Sequence, residues 1–159
     1  ITAGNKIDIS SIATGYRVAV VGTDRDKRIN INNNSALVGG KNVQLQAGGD
    51  LALTGSHVTA TDSITAEAGG SIELKAVKDR KMEDAEIGHR GGFYYNRVMT
   101  DDEKVQGSSM SAGGDISLQS GRDINIISSN IASEQGKITA DAAGSVNLNT
   151  MTEHHESIF

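Results

Sequence analysis

Apolar residues recur along this chain in pairs whose two members are separated by a single residue. In a β-strand, residues two apart share a face, so each pair predicts a short strand with one buried face. The pairs are Ile7/Ile9, Ile29/Ile31, Leu51/Leu53, Ile72/Leu74, Ile124/Ile126 and Val146/Leu148. They begin 22, 22, 21, 52 and 22 residues apart. Four steps therefore indicate a repeat of 21–22 residues, and the step of 52 is one repeat with about 30 additional residues.

A second apolar group recurs within the repeat, and a third, weaker position follows at Val58 and Ile131. The second group comprises Val18/Val20, Val43/Leu45, Ile64/Ala66, Ile116/Leu118 and Ile138/Ala140. Each repeat therefore holds two or three short strands, joined by Gly-Gly, Gly-Asp or Asn-rich corners. A unit this short cannot bury an apolar face alone, whereas stacked units share one core.

This periodicity predicts an all-β fold, namely a right-handed parallel β-helix of about six 21–22-residue coils. The first member of every apolar pair should stack in one inward-facing ladder. The ladder residues are Ile7, Ile29, Leu51, Ile72, Ile124 and Val146. We expect residues 1–159 to form a single β-helix fragment of a longer repeat protein.

Longer stretches of the chain also match one another. Residues 48–76 align with residues 121–150 when one inserted residue is allowed, and AGGD occurs at both 47–50 and 112–115. This cadence, with SGRDINI at 120–126, resembles the haemagglutinin repeats of filamentous haemagglutinin-type exoproteins. These two-partner-secreted proteins of Gram-negative bacteria include adhesins and contact-dependent growth inhibition effectors.

The resemblance implies a structural filament segment that is secreted and displayed on the bacterial cell surface, outside the outer membrane. It also implies two partners for the full-length protein. One is a dedicated outer-membrane transporter that exports it. The other is a receptor on a host cell or on a neighbouring bacterium.

Composition narrows the remaining classes. The chain has 19 glycines but no proline, cysteine or tryptophan, and only 3% of its residues are aromatic. The net charge of −5 gives no basic footprint for nucleic acid. No apolar run approaches the roughly 20 residues of a membrane helix, so no transmembrane segment is expected.

Residues 78–110 depart from the repeat. The stretch from 78 to 104 holds six Lys or Arg and seven Asp or Glu residues, a mixture typical of solvent-exposed segments. Gly91 and Gly92 provide a turn between two arms, at about 82–89 and 93–104. We therefore predict an inserted β-hairpin or loop that lies outside the helix and leaves its core intact.

Three aromatic residues and an arginine cluster in this insertion, within residues 88–99: Phe93, Tyr94, Tyr95 and Arg97. Exposed aromatic rings and arginine are enriched at protein interfaces, so these four residues are a candidate interaction surface. The alternative is that the rings pack over the flank of the helix and shield a sheet edge. Sequence leaves both interpretations open.

The corner residues Asp50, Asp115 and Asp123 invite comparison with calcium-binding repeats, but the tandem Gly-x-Asp spacing is missing and a turn role is favoured. In EHHE at 153–156, alternation separates the two histidines, which favours a polar outer strand over a metal site. His57 is read as a solvated corner residue. The sequon at Asn33 is read as turn or ladder sequence.

No nucleophile–base arrangement, metal motif or phosphate loop is present, so the sequence predicts no catalytic residue, metal or cofactor. Two rival functions remain. The first is an adhesin module that binds glycan or protein through residues 88–99. The second is a β-helical carbohydrate-active enzyme, which is disfavoured because the equivalent outward positions Ala52, Glu73, Asn125 and Asn147 hold one carboxylate.

Overall fold

The computed structural model describes residues 1–19, 25–34, 36–88 and 95–158. These residues contain seventeen β-strands and no helix, so the predicted all-β class is confirmed. The strands are β1 (Thr2–Ala3), β2 (Ile7–Ser10), β3 (Ile12–Ala19), β4 (Arg25–Asn34), β5 (Leu37–Ala47), β6 (Leu51–Thr54), β7 (His57–Ala68), β8 (Ile72–Lys75), β9 (Val77–Gly88), β10 (Tyr95–Gln106), β11 (Ser109–Ala112), β12 (Ile116–Ser120), β13 (Ile124–Ile127), β14 (Asn130–Ser133), β15 (Ile138–Ala142), β16 (Val146–Asn149) and β17 (His155–Ile158).

The strands belong to two compact units. The first unit, which we call the repeat unit body, comprises Ile1–Ile12, Asn34–Val77 and Gln106–Met151. The second unit, which we call the hairpin unit, comprises Ala13–Asn33, Lys78–Val105 and Thr152–Phe159. The chain therefore leaves the repeat unit body twice and returns to it.

The repeat unit body contains a five-stranded parallel sheet with one strand from each repeat, in the order β16-β13-β8-β6-β2. Their leading residues lie in register, as the list Ile7–Leu51–Ile72–Ile124–Val146 gives them. Ile7, Leu51, Ile72 and Ile124 are buried, whereas Val146 in the terminal strand is 44% exposed. Five of the six predicted ladder positions therefore align.

Ile29 is not part of this ladder, and that prediction is wrong. Ile7 pairs directly with Leu51, whereas Ile29 lies in β4 opposite Met82 of an antiparallel sheet. The inserted segment Ala13–Asn33 is 21 residues long, the length of one repeat, so its Ile29/Ile31 pair falls where a repeat strand is expected. The parallel ladder consequently has five strands in the described residues, and the estimate of about six coils is too high.

A second parallel sheet completes the repeat unit body. Its two longest strands, β5 and β7, pair with each other over most of their length, with an irregularity between Gly40 and Asn42. The first part of β7 pairs with β11 and the last part with β12, and β14 and β15 continue these two positions. Each repeat therefore supplies two further strands, which correspond to the second and third apolar groups in the sequence.

Alternating residues of these parallel strands form the core. The buried apolar residues are Ile7, Val43, Leu45, Ala47, Leu51, Leu53, Val58, Ala60, Ile64, Ala66, Ala68, Ile72, Leu74, Ala76, Met110, Ala112, Ile116, Leu118 and Ile124. Aliphatic residues and small alanines alternate along the strands, so successive repeats place similar side chains at the same depth. At about 25 cal/mol per Å² of buried apolar area, this stack is the main stabilising contribution.

The corners carry two features that hold neighbouring repeats together. Gly69 stacks between Gly48 and Gly121, and a methyl group added at Gly69 would collide with the Gly48 carbonyl oxygen. The carboxylates of Asp50 and Asp123 accept backbone N–H bonds from the following repeat, each at 2.8 Å. Corner aspartates therefore bind the next repeat, a role beyond the turn preference that the sequence indicates.

A buried serine column lies at another corner. The Ser108 hydroxyl is 3.0 Å from the Leu53 carbonyl oxygen and 2.8 Å from that of Lys75. It also accepts the Ser56 backbone N–H at 3.2 Å. The Ser108 N–H in turn donates to the hydroxyl of Ser129 at 3.1 Å. Because these backbone groups are screened from water, each serine supplies a partner that an apolar residue could not.

The hairpin unit is a five-stranded sheet in the order β17-β10-β9-β4-β3, which is also the order of the strands along the chain. The pairs β4–β9 and β10–β17 are antiparallel. The predicted insertion at 78–110 supplies β9 and β10, so its two arms are strands as expected. The other inserted segment, Ala13–Asn33, is a finding that the sequence interpretation lacked.

Candidate functional site

The predicted interaction surface begins at the start of β10. Phe93 and Tyr94 lie outside the described residues, and Tyr95 is the first residue of β10. Arg97 follows two residues later, and its side chain is 52% exposed. The structure therefore places Tyr95 and Arg97 on one strand, and whether the four residues form a surface stays a prediction.

Arg97 belongs to a set of ion pairs between β9 and β10. It binds Asp84 through both carboxylate oxygens, at 3.0 and 3.1 Å. Arg80 binds Asp101 in the same bidentate manner, at 3.0 and 2.6 Å. The third pair joins Lys78 to Glu103 at 2.7 Å. The residue numbers of each pair add to the same total, which is the signature of directly opposite residues in an antiparallel pair.

These ion pairs fix the charge state of the strand pair. The hydrogen bonds from Arg80 lower the pKa of Asp101, and the same contact raises the pKa of Arg80. The carboxylates are more shielded than their partners, since the side chain of Asp101 is 15% exposed and that of Arg80 is 45% exposed. Pairs this exposed contribute mainly strand register and specificity, because solvent and salt screen their attraction.

An apolar row crosses the sheet between these charged rows. The register places Ile29 opposite Met82 and Met99 opposite Ile158. Met82 and Met99 are half-buried, and Ile158 in the edge strand is 47% exposed. The hairpin unit therefore alternates charged and apolar rows, in contrast to the continuous apolar rows of the parallel sheets.

The EHHE segment forms the start of β17 and the residues before it. His155 Nδ1 lies 3.2 Å from Asp102 Oδ1, and its Nε2 lies 3.6 Å from Glu153 Oε2. His154 Nε2 lies 3.7 Å from Glu156 Oε2. The expected sharing of faces, Glu153 with His155 and His154 with Glu156, is therefore confirmed, and the segment is the polar strand that alternation predicts.

Electrostatics at His155 favour its charged form. The contact with Asp102, followed by that with Glu153, raises the pKa of His155. Glu153 accepts the Val105 backbone N–H at 2.8 Å, and this bond is the main reason for the lowered pKa of Glu153. In the part of the chain that the structure describes, no cluster of three His, Asp or Glu side chains is arranged to hold a metal ion.

The remaining candidate residues take structural positions. His57 is the first residue of β7, and its Nδ1 lies 2.7 Å from the Ser109 hydroxyl. Asn33 lies in β4. Asp115, like the other corner aspartates, accepts a backbone N–H, here from Lys137 at 2.7 Å.

The outward positions of the ladder sheet bear on catalysis. Ala52, Glu73, Asn125 and Asn147 are aligned in register, as the sequence interpretation assumed. The Asn147 amide donates to the Asn125 side-chain oxygen at 3.0 Å. A second polar row on the other parallel sheet lines an open groove of about 510 Å³ that includes Glu67 and Asp141. Both surfaces are polar and shallow.

Parallel strands that recur every 21–22 residues, interrupted by hairpins, define an all-β repeat protein. A sequence profile of the hemagglutinin-repeat family matches residues 1–89 and 91–158. The chain belongs to this family, and its resemblance to two-partner-secretion exoproteins of the contact-dependent growth inhibition type is confirmed.

Two curated relatives are similar to most of the chain. It is 31% identical over 120 residues to "tRNA nuclease CdiA-2" of Burkholderia pseudomallei, which is 74% of this chain and 4% of that relative. It is 29% identical over 96 residues to "tRNA nuclease CdiA" of Yersinia mollaretii, which is 60% of this chain and 3% of that relative. No solved structure matches the chain significantly. Among the described residues, no helix is long and apolar enough to span a membrane.

Proposed function

We propose that this chain is a non-catalytic structural segment of a large secreted bacterial exoprotein, and that its parallel sheets are faces of a right-handed parallel β-helix. One observation carries the proposal. Every strand of the ladder sheet pairs in register with the strand one repeat away. An arrangement of this kind extends by addition of repeats without change to any earlier repeat, as a filament requires.

The dimensions of such a segment follow from strand spacing. Neighbouring strands in a sheet are roughly 4.8 Å apart, so each repeat would lengthen the filament by that amount. The chain spans 3–4% of the curated relatives that it matches. Many such segments in one protein would therefore hold an active region far from the cell that displays it.

The names of the relatives suggest what the full protein delivers. Both relatives are named as tRNA nucleases, and this chain covers a small part of each. We assign this segment to toxin delivery or adhesion outside the Gram-negative outer membrane. An outer-membrane two-partner transporter would export the full-length protein, and a receptor on a neighbouring bacterium or a host cell would bind it.

Deletion in register tests the structural proposal. Removal of residues 51–123 takes out two repeats and one hairpin and lets Ile124 pair with Ile7 in place of Leu51. We expect the parent protein to keep secretion, surface display and function, with a shorter filament. Removal of residues 51–112 is the matched control, since it destroys the register and should abolish display. Equal loss of function in both variants would contradict a structural role.

An adhesin module is the second candidate, and the exposure of Arg97 beside Tyr95 favours it. A glycan array and a cell-binding assay with the purified chain test it directly. Loss of binding in the double variant Tyr94→Ala/Tyr95→Ala would support an interface, whereas retention of binding would assign the rings to cover of a sheet edge. The third candidate is a carbohydrate-active enzyme, and polysaccharide turnover by the chain would revive it, although Glu73 has the uncharged neighbours Ala52 and Asn125.

A further inference from the structure

The inserted hairpins occur at equivalent positions of alternate repeats. The first insertion begins at Ala13, three residues after the end of β2, and the second begins at Lys78, three residues after the end of β8. They end at Asn33 and Val105, each four residues before the next parallel strand. In the repeats between, the chain passes from β6 to β7 and from β13 to β14 with two connecting residues.

The last segment of the hairpin unit obeys the same rule. It begins at Thr152, again three residues after the end of a ladder strand, here β16. Its strand β17 pairs antiparallel with β10 and occupies the next place in a sheet whose strands follow chain order. By connection and by position, β17 corresponds to β3 and β9, the first strands of the two earlier hairpins.

The free side of β17 is prepared to pair. Glu103 N–H donates to the His154 carbonyl oxygen at 2.8 Å, which makes this an exchanging pair of the antiparallel ladder. Because such pairs alternate along the strand, His155 and Ser157 turn their backbone N–H and C=O groups away from β10. In the described residues β17 has a neighbour on one side only, so these groups form an open edge.

We propose that β17 is the first strand of a third hairpin and that its open edge pairs with the returning antiparallel strand of that hairpin in the parent chain. The existing rows state what this strand should carry. A residue opposite Ile158 would extend the apolar row through Met82 and Met99. A basic residue opposite Glu156 would balance a row in which Asp101 already uses the charge of Arg80.

Amide hydrogen exchange tests the pairing. Two chains are compared: the 159-residue chain, and the same chain continued by about 30 residues of its own parent sequence, the length of the second insertion. We expect the His155 and Ser157 amides to exchange about tenfold or more slowly in the longer chain, independent of protein concentration. The Glu156 amide, which faces β10, is the internal control and should change little.

A substitution makes the test specific to the open edge. Ser157→Pro removes an outward N–H and leaves the exchanging pairs with β10 in place, so in the longer chain it should return the His155 amide to fast exchange. Ser157→Ala is the matched control and should leave protection unchanged. Fast exchange of both amides in the unaltered longer chain would overturn the proposal. Protection in the 159-residue chain that rises with concentration would also overturn it, because a second copy would then cover the edge.

Discussion

The two units of this protein are both built from β-strands, yet they are held together by different forces. In the repeat unit body, strands pair in parallel and residues such as Leu51 and Ile116 are fully buried. In the hairpin unit, strands pair antiparallel and carry rows of ion pairs whose side chains remain partly exposed. The first unit should therefore tolerate surface change and fail on core change, and the second should respond mainly to charge and pH.

The largest effect should follow a charge placed in the parallel core. Leu51→Asp buries a carboxylate without a partner at a site that is 0% exposed, which should destabilise the chain by several kcal/mol, about 4 or more. Thermal unfolding followed by circular dichroism measures it. Thr65→Asp, on the outward side of β7, is the control and should change the free energy of unfolding by about 0.5 kcal/mol or less. Equal melting of both variants would contradict the register of the core.

The serine column predicts the next effect in size. Ser108→Ala leaves the Ser56 backbone N–H without its partner at a buried corner, which should cost about 1–3 kcal/mol. Denaturant unfolding of the variant measures the loss. Ser117→Ala, a substitution of the same kind on an outward strand position, should have little effect. A neutral result at Ser108 would mean that water replaces the hydroxyl.

Removal of the second hairpin asks whether the two units are independent. Replacement of residues 78–105 by a short Gly/Ser linker keeps Ser108 and leaves β8 and β13 free to pair as before. We expect the parallel sheets to remain folded with a modest loss of about 1–2 kcal/mol, since loops of different length close at similar cost. Collapse of the parallel sheets, seen as loss of protected amides in β7 and β12, would show that the hairpin is part of the core.

The ion pair between Arg80 and Asp101 should have a smaller effect. A double-mutant cycle with Arg80→Gln and Asp101→Asn should give a coupling free energy of about 0.2–1 kcal/mol, reduced by salt, because Arg80 is 45% exposed. A coupling that is large and unchanged by salt would contradict this estimate and indicate that the pair is desolvated.

The pH dependence of β17 should be the mildest and most local effect. The pKa of His155 is raised from 6.5, so its contribution to stability is complete below 6.5 and is lost as pH rises through the raised value. The pKa of Glu153 is lowered from 4.5, so its contribution is present above 4.5 and is lost as pH falls through the lowered value. Binding of β17 to β10 should be strongest between these limits.

An NMR titration of the His155 ring and the β17 amides checks this window. His155→Gln is the control, since it removes the titration and should leave amide exchange in β17 without its loss above pH 6.5. A pKa of His155 at or below 6.5 would contradict the contacts with Asp102 and Glu153.

The repeat could be predicted from sequence because its strands recur with the same inward residues, and four of five steps between apolar pairs agree. The second insertion was found because it disrupts this period. The first insertion was missed because its 21 residues match the period. One signal distinguishes it: a glycine lies three residues before Ile7, Leu51, Ile72 and Ile124, whereas Asp26 holds that position before Ile29. A repeat corner needs that glycine for close approach, and a strand does not.

Other features depend on which strands become neighbours and could not be read from local pattern. The pairing of β10 with β17 joins Asp102 to His155 across 53 residues, and nothing in the EHHE segment itself specifies that contact. The hydrogen bonds of Ser108 likewise exist because β8 and β6 stack at the same corner.

Constant register has a consequence for how the chain folds as it is made or exported. Each ladder strand finds its template 21–22 residues earlier in the chain, so the loop that must close is the same at every step and does not grow with the length of the protein. The one longer step, 52 residues from Ile72 to Ile124, raises the closure cost by only about 0.8 kcal/mol over a 22-residue step. Folding can therefore proceed from one end, each finished repeat acting as the nucleus for the next.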